Sequence, residues 1–307
     1  MSASKKDLLT LLEFTPEELQ SMVLLAAELK ANRYLFQHSE FERKSGVLIF
    51  EKPSLRTRIT FETAINELGG HPINLASEGV GMGKRESVED VARNLERVVH
   101  LVVARTYKHD TVVQLARHCS IPVINALTDQ FHPCQALAFA LTIHEHRPGK
   151  KLNVVFVGDG NNVCNSLMVI CAKLGNNFTV VGPKGYQPDA DLTHTCSEVC
   201  KQTGGSVSIT NELFPAISKA DVIYTDVWTS MGQEAETEKR KADFKDFQVN
   251  GDLISKAPAD VLVSHCLPAH RGEEITSEVL DSSHSVAFDE AENRLHVQKA
   301  AIVHLFS

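Results

Sequence analysis

Apolar and polar residues follow one another along this chain in a pattern that predicts helices and short buried strands in turn. Residues 15–32 carry apolar side chains at helical spacing, behind a capping Thr15 and a Pro16 suited to the first turn. Short aliphatic runs bounded by turn residues are typical of strands buried in a parallel sheet. Such runs occupy residues 46–50, 101–104, 122–125, 152–157, 178–181, 206–210, 221–226 and 261–265. Helical segments separate them, and this alternation indicates an α/β fold.

The helix-breaking residues 147–150 (R-P-G-K) divide these elements into two series. A chain of 307 residues is long enough for two domains of about 150 residues each. We therefore predict one α/β domain over 1–147 and a second over 148–290, each a parallel sheet flanked by helices. Ligands are expected in the cleft between them, and a C-terminal helix over 291–307 is expected to pack back on the first domain. The polar run 233–247 is predicted to be a solvated, charged segment.

Composition and charge narrow the range of functions. With 43% hydrophobic and 23% charged residues, the chain has the composition of a globular protein. Its 31 Lys and Arg against 39 Asp and Glu give a net charge of −8, which argues against a nucleic-acid partner because such proteins carry a basic face. No apolar stretch has the roughly 18 residues of a membrane span, and the N-terminus lacks a signal-peptide pattern. The sequence therefore predicts a cytoplasmic protein without a membrane partner.

The seven cysteines are odd in number and scattered, which argues against a disulfide framework. Cys196 and Cys200, with His194 nearby, could present metal ligands on one face of a helix. No second pair of ligands has the spacing of a metal site, so we predict ordinary thiols and no metal.

Parallel sheets bind ligands beyond the carboxyl ends of their strands, and residues 51–58 (E-K-P-S-L-R-T-R) lie at such a position. A helix begins inside this string, and its free N–H groups and partial positive charge suit a phosphate. Ser54, Arg56 and Thr57 add side-chain donors. The alternative is a capped helix with exposed basic residues.

Residues 131–135 (F-H-P-C-Q) also lie between a strand and a helix. His132 could donate a hydrogen bond to a carbonyl oxygen that gains negative charge during a reaction. Gln135 could pair with an amide-like group, because its side chain has both a donor and an acceptor. The alternative is an ordinary helix cap.

The second half of the chain has three further candidates. Asp226 ends a buried strand, where its carboxylate would suit the ammonium group of a ligand, and the loop that follows contains a glycine and could expose backbone donors. Cys266 ends another strand and is a nucleophile, a polar contact or a core residue. Residues 158–162 (G-D-G-N-N) follow a strand, but the dinucleotide fingerprint lacks its third glycine and no acidic residue ends the next strand. Nicotinamide binding is therefore not predicted.

Six motifs occur in order along nearly the whole chain: S-L-R-T-R, H-P-C-Q, D-G-N-N, D-V-W-T-S-M-G, H-C-L-P and F-D-E-A-E-N-R. Together they are far more specific than any one of them alone. The chain closely resembles the ornithine carbamoyltransferases, within the aspartate/ornithine carbamoyltransferase family. The resemblance implies transfer of the carbamoyl group of carbamoyl phosphate to the δ-amine of L-ornithine, giving L-citrulline and phosphate. It also implies two α/β domains, no cofactor or metal, and a homotrimer with active sites at subunit interfaces.

The same resemblance implies roles for individual residues. Carbamoyl-phosphate binding is expected of Ser54, Leu55 through its backbone, Arg56, Thr57, Arg105, His132, Gln135, Cys266, Leu267 and Arg294. Ornithine binding is expected of Asn162, Asp226, Ser230 and Met231. The expected catalytic residues are Arg56, Arg105, His132 and Cys266. We expect Cys266 to orient or deprotonate the δ-ammonium rather than act covalently, because the amine is itself the nucleophile.

Three positions depart from the residues usual in the family. Leu55 replaces a Thr, which matters little if this position binds through its N–H group. Phe139 replaces an Asp, and we assign no consequence to this change. Gly81 replaces a Gln on a loop that reaches the neighbouring subunit's site, so we expect weakened binding of carbamoyl phosphate.

Two alternatives stay open at this point. The first is a sister carbamoyltransferase for putrescine, aspartate or an N-acylated ornithine, although Asp226 with S-M-G favours a free α-amino acid that carries an amine side chain. The second is a binding or regulatory protein, against which the intact Arg56, His132, Asp226 and Cys266 argue. An anabolic and a catabolic enzyme would use the same residues, and we expect a role in arginine biosynthesis.

Overall fold

The structure is a computed structural model that describes residues 5–34, 40–76, 82–83, 85–230 and 233–307. Its chain forms two compact units: the first comprises the chain up to Leu141 together with Glu292–Ser307, and the second comprises Thr142–Ala291. The chain passes from the first unit to the second inside a helix, whereas the breaker residues 147–150 only end that helix. The division therefore lies earlier than the predicted limit at 147, because Pro and Gly mark where a helix stops and not where a compact unit stops.

A four-stranded parallel sheet with strand order β2-β1-β3-β4 lies in the first unit. Its strands are β1 (Ser45–Phe50), β2 (His71–Ala76), β3 (Leu101–Arg105) and β4 (Val123–Leu127). The described helices up to residue 146 are α1 (Pro16–Ala31), α2 (Leu55–Glu67), α3 (Val88–Leu95), α4 (His109–His118) and α5 (Pro133–His146). Phe50 pairs with Arg105, so β1 and β3 end side by side.

The cap of α1 confirms the prediction from Thr15. The Thr15 hydroxyl accepts a hydrogen bond from the Glu18 backbone N–H at 3.2 Å, and the Glu18 carboxylate accepts one from the Thr15 N–H at 2.9 Å. This reciprocal pair satisfies two N–H groups that a helix start leaves without internal partners.

A five-stranded parallel sheet with strand order β7-β6-β5-β8-β9 lies in the second unit. Its strands are β5 (Asn153–Val157), β6 (Asn177–Val181), β7 (Ser206–Thr210), β8 (Val222–Thr225) and β9 (Leu262–His265). Its helices are α6 (Asn162–Lys173), α7 (Ala190–Thr203), α8 (Leu213–Ile217), α9 (Thr237–Phe244), α10 (Gly251–Ile254) and α11 (Ser277–Leu280). The strand order reverses between β5 and β8, and open parallel sheets bind ligands at such a point.

Most described residues of the polar run 233–247 are exposed, as predicted, but the run is helical and has a buried face. Residues Glu234–Glu236 form a 3-10 turn, α9 follows, and Lys245–Phe247 form a second 3-10 turn. Arg240 and Phe244 are buried on one face of α9. Charged residues dominate this stretch of sequence. The buried face is not visible in the charge pattern because one of its two buried residues, Arg240, is itself charged and is buried as a partner of carboxylates.

The C-terminal helix α12 (Ala287–Phe306) begins earlier than the predicted residue 291. From Glu292 onward it belongs to the first unit, where Lys30 Nζ donates to Asn293 Oδ1 at 2.8 Å and Lys299 Nζ donates to Glu67 Oε2 at 2.9 Å. The helix has 20 residues and makes its own backbone hydrogen bonds throughout, so it continues unbroken where the chain passes from the second unit to the first.

Buried His296 on α12 is expected to make the stability of the protein depend on pH. Burial lowers the pKa of His296 to about 4, followed by the effect of Lys30 and partly opposed by Glu292. The unfolded chain therefore takes up this proton first as the pH falls below about 6.5, so stability is complete above that value and is lost towards pH 4. We expect His296→Leu to remove about 2 kcal/mol of the difference in stability between pH 7.5 and pH 5.

Urea unfolding at pH 7.5 and pH 5 measures this effect as the difference in unfolding free energy for the wild type and for His296→Leu. His194→Leu, which removes an exposed histidine of α7, is the control and should retain the wild-type difference. Equal pH dependence in the wild type and in His296→Leu would contradict the prediction. Besides His296, the nearby charges are Lys30, Arg33, Glu292 and Lys299.

Of the helices in the described ranges, none combines the length and apolar character that crossing a bilayer requires. All seven cysteines are free thiols, and Cys266 alone among them is not fully buried. Cys196 and Cys200 are buried side chains of α7. Burial raises the pKa of Cys196 to about 12, so its thiol is neutral at physiological pH.

Candidate active site

The start of α2 in the first unit carries the residues predicted to bind a phosphate. Ser54 precedes the helix in extended conformation, and its hydroxyl does not cap α2 but accepts a hydrogen bond from Arg105 Nη1 at 3.1 Å. Arg105 is buried at the end of β3, beside the end of β1 from which this loop starts. A buried cation, a hydroxyl and the first N–H groups of α2 thus converge, as binding of a phosphate requires.

The two neighbours of Arg56 in the first turn of α2 differ in their exposure to solvent. Leu55, the first residue of α2, is 72% exposed. Thr57 is buried, and its hydroxyl accepts a hydrogen bond from Arg294 Nη2 at 3.0 Å. Arg56 itself is half-buried.

Arg294 of α12 connects α2 with α5. Its Nη1 donates to Gln135 Oε1 at 2.6 Å while its Nη2 donates to Thr57, and all three side chains are buried. The planar guanidinium group reaches both acceptors at once, which a lysine ammonium group in the same place would do with less fixed geometry. Arg294 therefore sets the orientation of the Gln135 amide.

His132 is buried just before α5. Burial, and then the positive charges of Arg294 and Arg105, hold the pKa of His132 well below its usual value near 6.5. The imidazole is therefore neutral at physiological pH, with one ring nitrogen as a donor and the other as an acceptor. A neutral donor beside two buried cations suits an oxygen atom that becomes negative during a reaction.

Lys52 is a buried residue of this region that the sequence analysis did not select. Its Nζ lies 4.6 Å from the centroid of the Tyr107 ring, and the neighbouring Glu51 carboxylate accepts a hydrogen bond from the Tyr107 N–H at 2.8 Å. Its position in the string E-K-P-S-L-R-T-R was the available signal. A buried lysine adds positive charge next to Ser54, which favours an anionic ligand.

Asp226 is the centre of the candidate site in the second unit. It lies buried after β8, at the reversal of the strand order, and three donors surround its carboxylate. Oδ1 accepts from the Val227 N–H and from the Cys266 thiol, each at 2.8 Å, and Oδ2 accepts from Asn161 Nδ2 at 2.7 Å. These hydrogen bonds fix the carboxylate in place.

Asn161 connects Asp226 to the start of α6 and is a second residue that the sequence analysis missed. Its Oδ1 accepts hydrogen bonds from the N–H groups of Val163 and Cys164, both at 3.0 Å, so the side chain caps the helix and also contacts the carboxylate. The signal was its place in D-G-N-N, where the predicted ligand Asn162 follows as the first residue of α6.

Cys266 and Leu267 follow β9 in a constrained loop. Leu267 has φ of +54°, which is uncommon for a residue other than glycine, and its N–H donates to His265 Nδ1 at 2.8 Å. His265 Nε2 lies 3.0 Å from Glu274 Oε1, and both side chains are buried. Since Nδ1 accepts, the ring proton is on Nε2, and the imidazole holds the loop that presents the Cys266 thiol to Asp226.

Ser230 lies in the loop after β8, where its N–H donates to Gln233 Oε1 at 3.1 Å and its carbonyl accepts from the Gln233 N–H at 3.0 Å. The predicted ligand Met231 and the departure Gly81 lie outside the described residues, so their roles stay predictions. Phe139 is a buried residue of α5.

The structure therefore places the predicted residues in two sets, one in each unit. Ser54, Thr57, Arg105, His132, Gln135 and Arg294 are linked by direct hydrogen bonds or by close charges in the first unit. Asp226 and Cys266 are in direct contact in the second unit, where Asn162 adjoins Asn161. Cys266 and Leu267, predicted to bind carbamoyl phosphate, thus lie in the same unit as the predicted ornithine ligands.

Two groups of described side chains have ligand atoms within 4.8 Å of one another, as a metal site requires: Asp226, His265 and Cys266, and His270, Glu273 and Glu274. In the first group both ring nitrogens of His265 already have partners, Leu267 N and Glu274 Oε1. In the second group Lys241 Nζ binds Glu273 Oε1 at 2.8 Å. These bonds compete with metal coordination, and neither group supports a proposed metal centre.

Two family domains match the chain in succession. The domain described as "Aspartate/ornithine carbamoyltransferase, carbamoyl-P binding domain" matches residues 6–145, and the one described as "Aspartate/ornithine carbamoyltransferase, Asp/Orn binding domain" matches residues 150–305. Together the two matches cover nearly the whole sequence.

Individual relatives are similar over almost their full length. Proteins named ornithine carbamoyltransferase from Pyrococcus horikoshii and Methanosarcina mazei are 47% and 48% identical, each over 98% of this chain and over 96% and 99% of the relative. The solved structure of ornithine carbamoyltransferase from Pyrococcus furiosus has a TM-score of 0.94 at 46% identity, covering 98% of this chain and 97% of that one. The anabolic ornithine carbamoyltransferase from Campylobacter jejuni has a TM-score of 0.93 at 38% identity, covering 98% of each chain.

Proposed function

The chain belongs to the aspartate/ornithine carbamoyltransferase family, and on this premise we propose that it transfers the carbamoyl group of carbamoyl phosphate to the δ-amine of L-ornithine, giving L-citrulline and phosphate. The observation that carries the choice of acceptor is the buried Asp226 carboxylate, held by Asn161 and Cys266 at the reversal of the strand order. A carboxylate there favours a cationic amino acid, whereas aspartate would require basic side chains.

The phosphate group is proposed to bind at the start of α2. Backbone N–H groups from Leu55 onward, the hydroxyls of Ser54 and Thr57, and the guanidinium groups of Arg56 and Arg105 supply its donors. Phosphate leaves with the electron pair of the broken C–O bond, and these positive charges stabilise the leaving group in the transition state.

The carbamoyl group is proposed to bind at His132 and Gln135. Neutral His132 donates to the carbonyl oxygen, which becomes an oxyanion when the amine attacks. Gln135 Oε1 already accepts from Arg294 Nη1, and its second lone pair accepts from the carbamoyl NH₂ group. These contacts orient the carbonyl carbon for attack, which lowers the entropic part of the barrier.

Ornithine is proposed to bind at Asp226, Asn162, Ser230 and Met231, with Cys266 beside the reacting amine. The uncharged δ-amine forms the new N–C bond, the C–O bond to phosphate breaks, and the amine loses one proton, which the departing phosphate accepts. The Cys266 thiol donates to Asp226 Oδ1, and this contact fixes the sulfur as an orienting group for the amine. Because carbamoyl phosphate is already an activated acyl donor, the proposed reaction uses no covalent intermediate.

We further propose a homotrimer and an anabolic role in arginine biosynthesis. Leu55 and Ile59 lie one turn apart on α2 and are 72% and 53% exposed, which supports a subunit surface on this helix. The names of the relatives from Pyrococcus furiosus and Campylobacter jejuni contain the word anabolic, which supports the biosynthetic direction. Cytoplasmic location stays a prediction from the sequence.

Citrulline formation from carbamoyl phosphate tests the proposed reaction, with ornithine, putrescine, N-acetylornithine and aspartate supplied in parallel at pH 8. We expect product with ornithine alone, together with an equal amount of phosphate. Samples without enzyme correct for the spontaneous breakdown of carbamoyl phosphate. Product with another amine would overturn the role of Asp226 in choosing the acceptor, and no product with any of the four would overturn the proposed activity.

A further inference from the structure

Arg240 is a buried cation on α9 whose guanidinium group joins two loops of the second unit. Its Nη1 donates to Asp159 Oδ2 at 2.6 Å and to the Trp228 carbonyl oxygen at 3.1 Å, and its Nε donates to Glu236 Oε2 at 3.0 Å. Asp159 lies in the loop after β5, and Trp228 lies in the loop after β8. The side chain of Arg240 is 7% exposed and that of Asp159 is 12% exposed, so the bond between them is largely shielded from solvent.

These two loops carry the candidate ornithine ligands. The loop after β5 leads through Asn161 to Asn162, and the loop after β8 runs from Asp226 to Ser230. The bond between Asn161 and Asp226 connects the loops directly, and Arg240 connects them a second time through Asp159 and Trp228. Arg240 bonds neither Asn161 nor Asp226, so its hydrogen bonds do not depend on the groups proposed to bind the substrate.

Aromatic packing supports the same arrangement. The Arg240 guanidinium lies 5.1 Å from the centroid of the Tyr186 ring, and the Tyr186 carbonyl accepts a hydrogen bond from the Gly160 N–H at 2.8 Å. A side chain at position 160 would collide with the Pro188 backbone nitrogen, so glycine is required where this loop turns. One turn after Arg240, Phe244 stacks on Trp228 with ring centroids 6.1 Å apart.

An arginine suits this place better than a lysine. The planar guanidinium presents donors in fixed directions, and here they reach a carboxylate, a carbonyl oxygen and a second carboxylate at once. Removing it would leave the Asp159 carboxylate, which is only 12% exposed, without its cation, and this is more costly than the loss of an exposed ion pair. The loops would then rearrange to return Asp159 to water.

We propose that Arg240 is a positioning residue for the amino-acid substrate, which fixes the loop Asp226–Ser230 against the loop that leads to Asn162. The proposal rests on the proposed function in one respect, since it takes these loops to bind ornithine. Loss of Arg240 should therefore weaken the binding of ornithine and leave that of carbamoyl phosphate unchanged, because none of the residues predicted to bind carbamoyl phosphate lies in either loop.

Steady-state kinetics of Arg240→Met and Arg240→Lys test the proposal. For Arg240→Met we expect the KM for ornithine to rise about ten- to hundred-fold, as small misplacements of binding groups do, with the KM for carbamoyl phosphate within twofold of wild type. Arg240→Lys should recover part of the loss, because its ammonium keeps the charge but not the fixed fork.

Arg147→Met is the matched control. Arg147 also belongs to the second unit, and it also donates to a carboxylate and a carbonyl oxygen, both of Asp260. Asp260 precedes the amino-terminal end of β9, whereas the candidate ligands follow the carboxyl ends of their strands. It should show wild-type KM values for both substrates. Equal increases in both KM values for Arg240→Met, or an unchanged KM for ornithine, would overturn the proposal.

Hydrogen exchange measured on the same proteins separates this proposal from the proposed function. Peptides that cover 158–162 and 226–230 should exchange faster in Arg240→Met and in Arg240→Lys than in the wild type or in Arg147→Met. Unchanged exchange in these peptides would overturn the positioning role even if the enzyme is active. If the wild type forms no citrulline, the proposed function fails, and exchange still decides whether Arg240 holds the two loops. If Arg240→Met does not fold, Arg240→Lys decides both readouts.

Discussion

Asp226→Asn is expected to lower kcat/KM for ornithine by about two to four orders of magnitude, the range associated with loss of a charged catalytic or binding group. Both carboxylate oxygens accept hydrogen bonds, from Val227 and Cys266 on one side and from Asn161 on the other. An amide has only one oxygen, so its NH₂ group must face one of these donors. The substitution removes the charge that attracts an ammonium group and also breaks the geometry of the site.

Measurement of kcat and of both KM values, with thermal unfolding as the test of folding, checks this prediction. Asp221→Asn is the matched control: its carboxylate accepts two bonds from Asn153, at 2.7 and 3.0 Å, at the opposite end of β5 and β8. The control should retain kcat/KM for ornithine within about threefold, since it alters neither loop. A kcat/KM for ornithine within tenfold of wild type in Asp226→Asn would show that the Asp226 carboxylate does not bind an ammonium group of ornithine.

His132→Leu is expected to lower kcat by about 10²–10³, the usual cost of removing one donor to an oxyanion. Leucine retains bulk in the buried position but has no N–H group for the carbonyl oxygen. Because burial and the charges of Arg294 and Arg105 hold the pKa of His132 well below 6.5, the ring gains a proton only at lower pH. The ratio of wild-type to variant kcat should therefore stay constant from pH 6.5 to pH 9.

Initial rates at saturating substrates over that pH range provide the measurement. His144→Leu, in the last turn of α5, is the control and should behave as wild type. A ratio that falls as the pH decreases towards 6.5 would show that the ring loses its function in this range by taking up a proton. A ratio near one at every pH would show that His132 does not stabilise the oxyanion.

The sequence and the structure agree closely where local rules apply. The eight predicted strands all occur, with ends that differ by at most two residues, because aliphatic runs between turn residues leave few other conformations. β2 was missed: its sequence H-P-I-N-L-A mixes polar and apolar residues, and it lies at an edge of the sheet. Edge strands need fewer apolar residues, so their signal in the sequence is weaker.

In the candidate site, too, some residues could be predicted from the sequence and others could not. Polar residues at strand ends led to His132, Asp226 and Cys266, and the family resemblance added Arg105. No local pattern led to Asn161 as the donor to Asp226, because Asn162 beside it has the same chemistry and the backbone decides which one faces the carboxylate.

The sequence by itself determined the alternation of strands and helices, the family to which the motifs point, and the chemistry available at each strand end. These properties depend on residues close together in the chain, where steric and hydrophobic rules act directly. Only the tertiary structure decided that Arg240 lies buried against Asp159 and Trp228, and that Arg294 joins Thr57 to Gln135. Each of these contacts joins residues far apart in sequence. The residues next to an arginine in the chain are therefore no guide to whether its side chain is buried against such a partner or exposed to water.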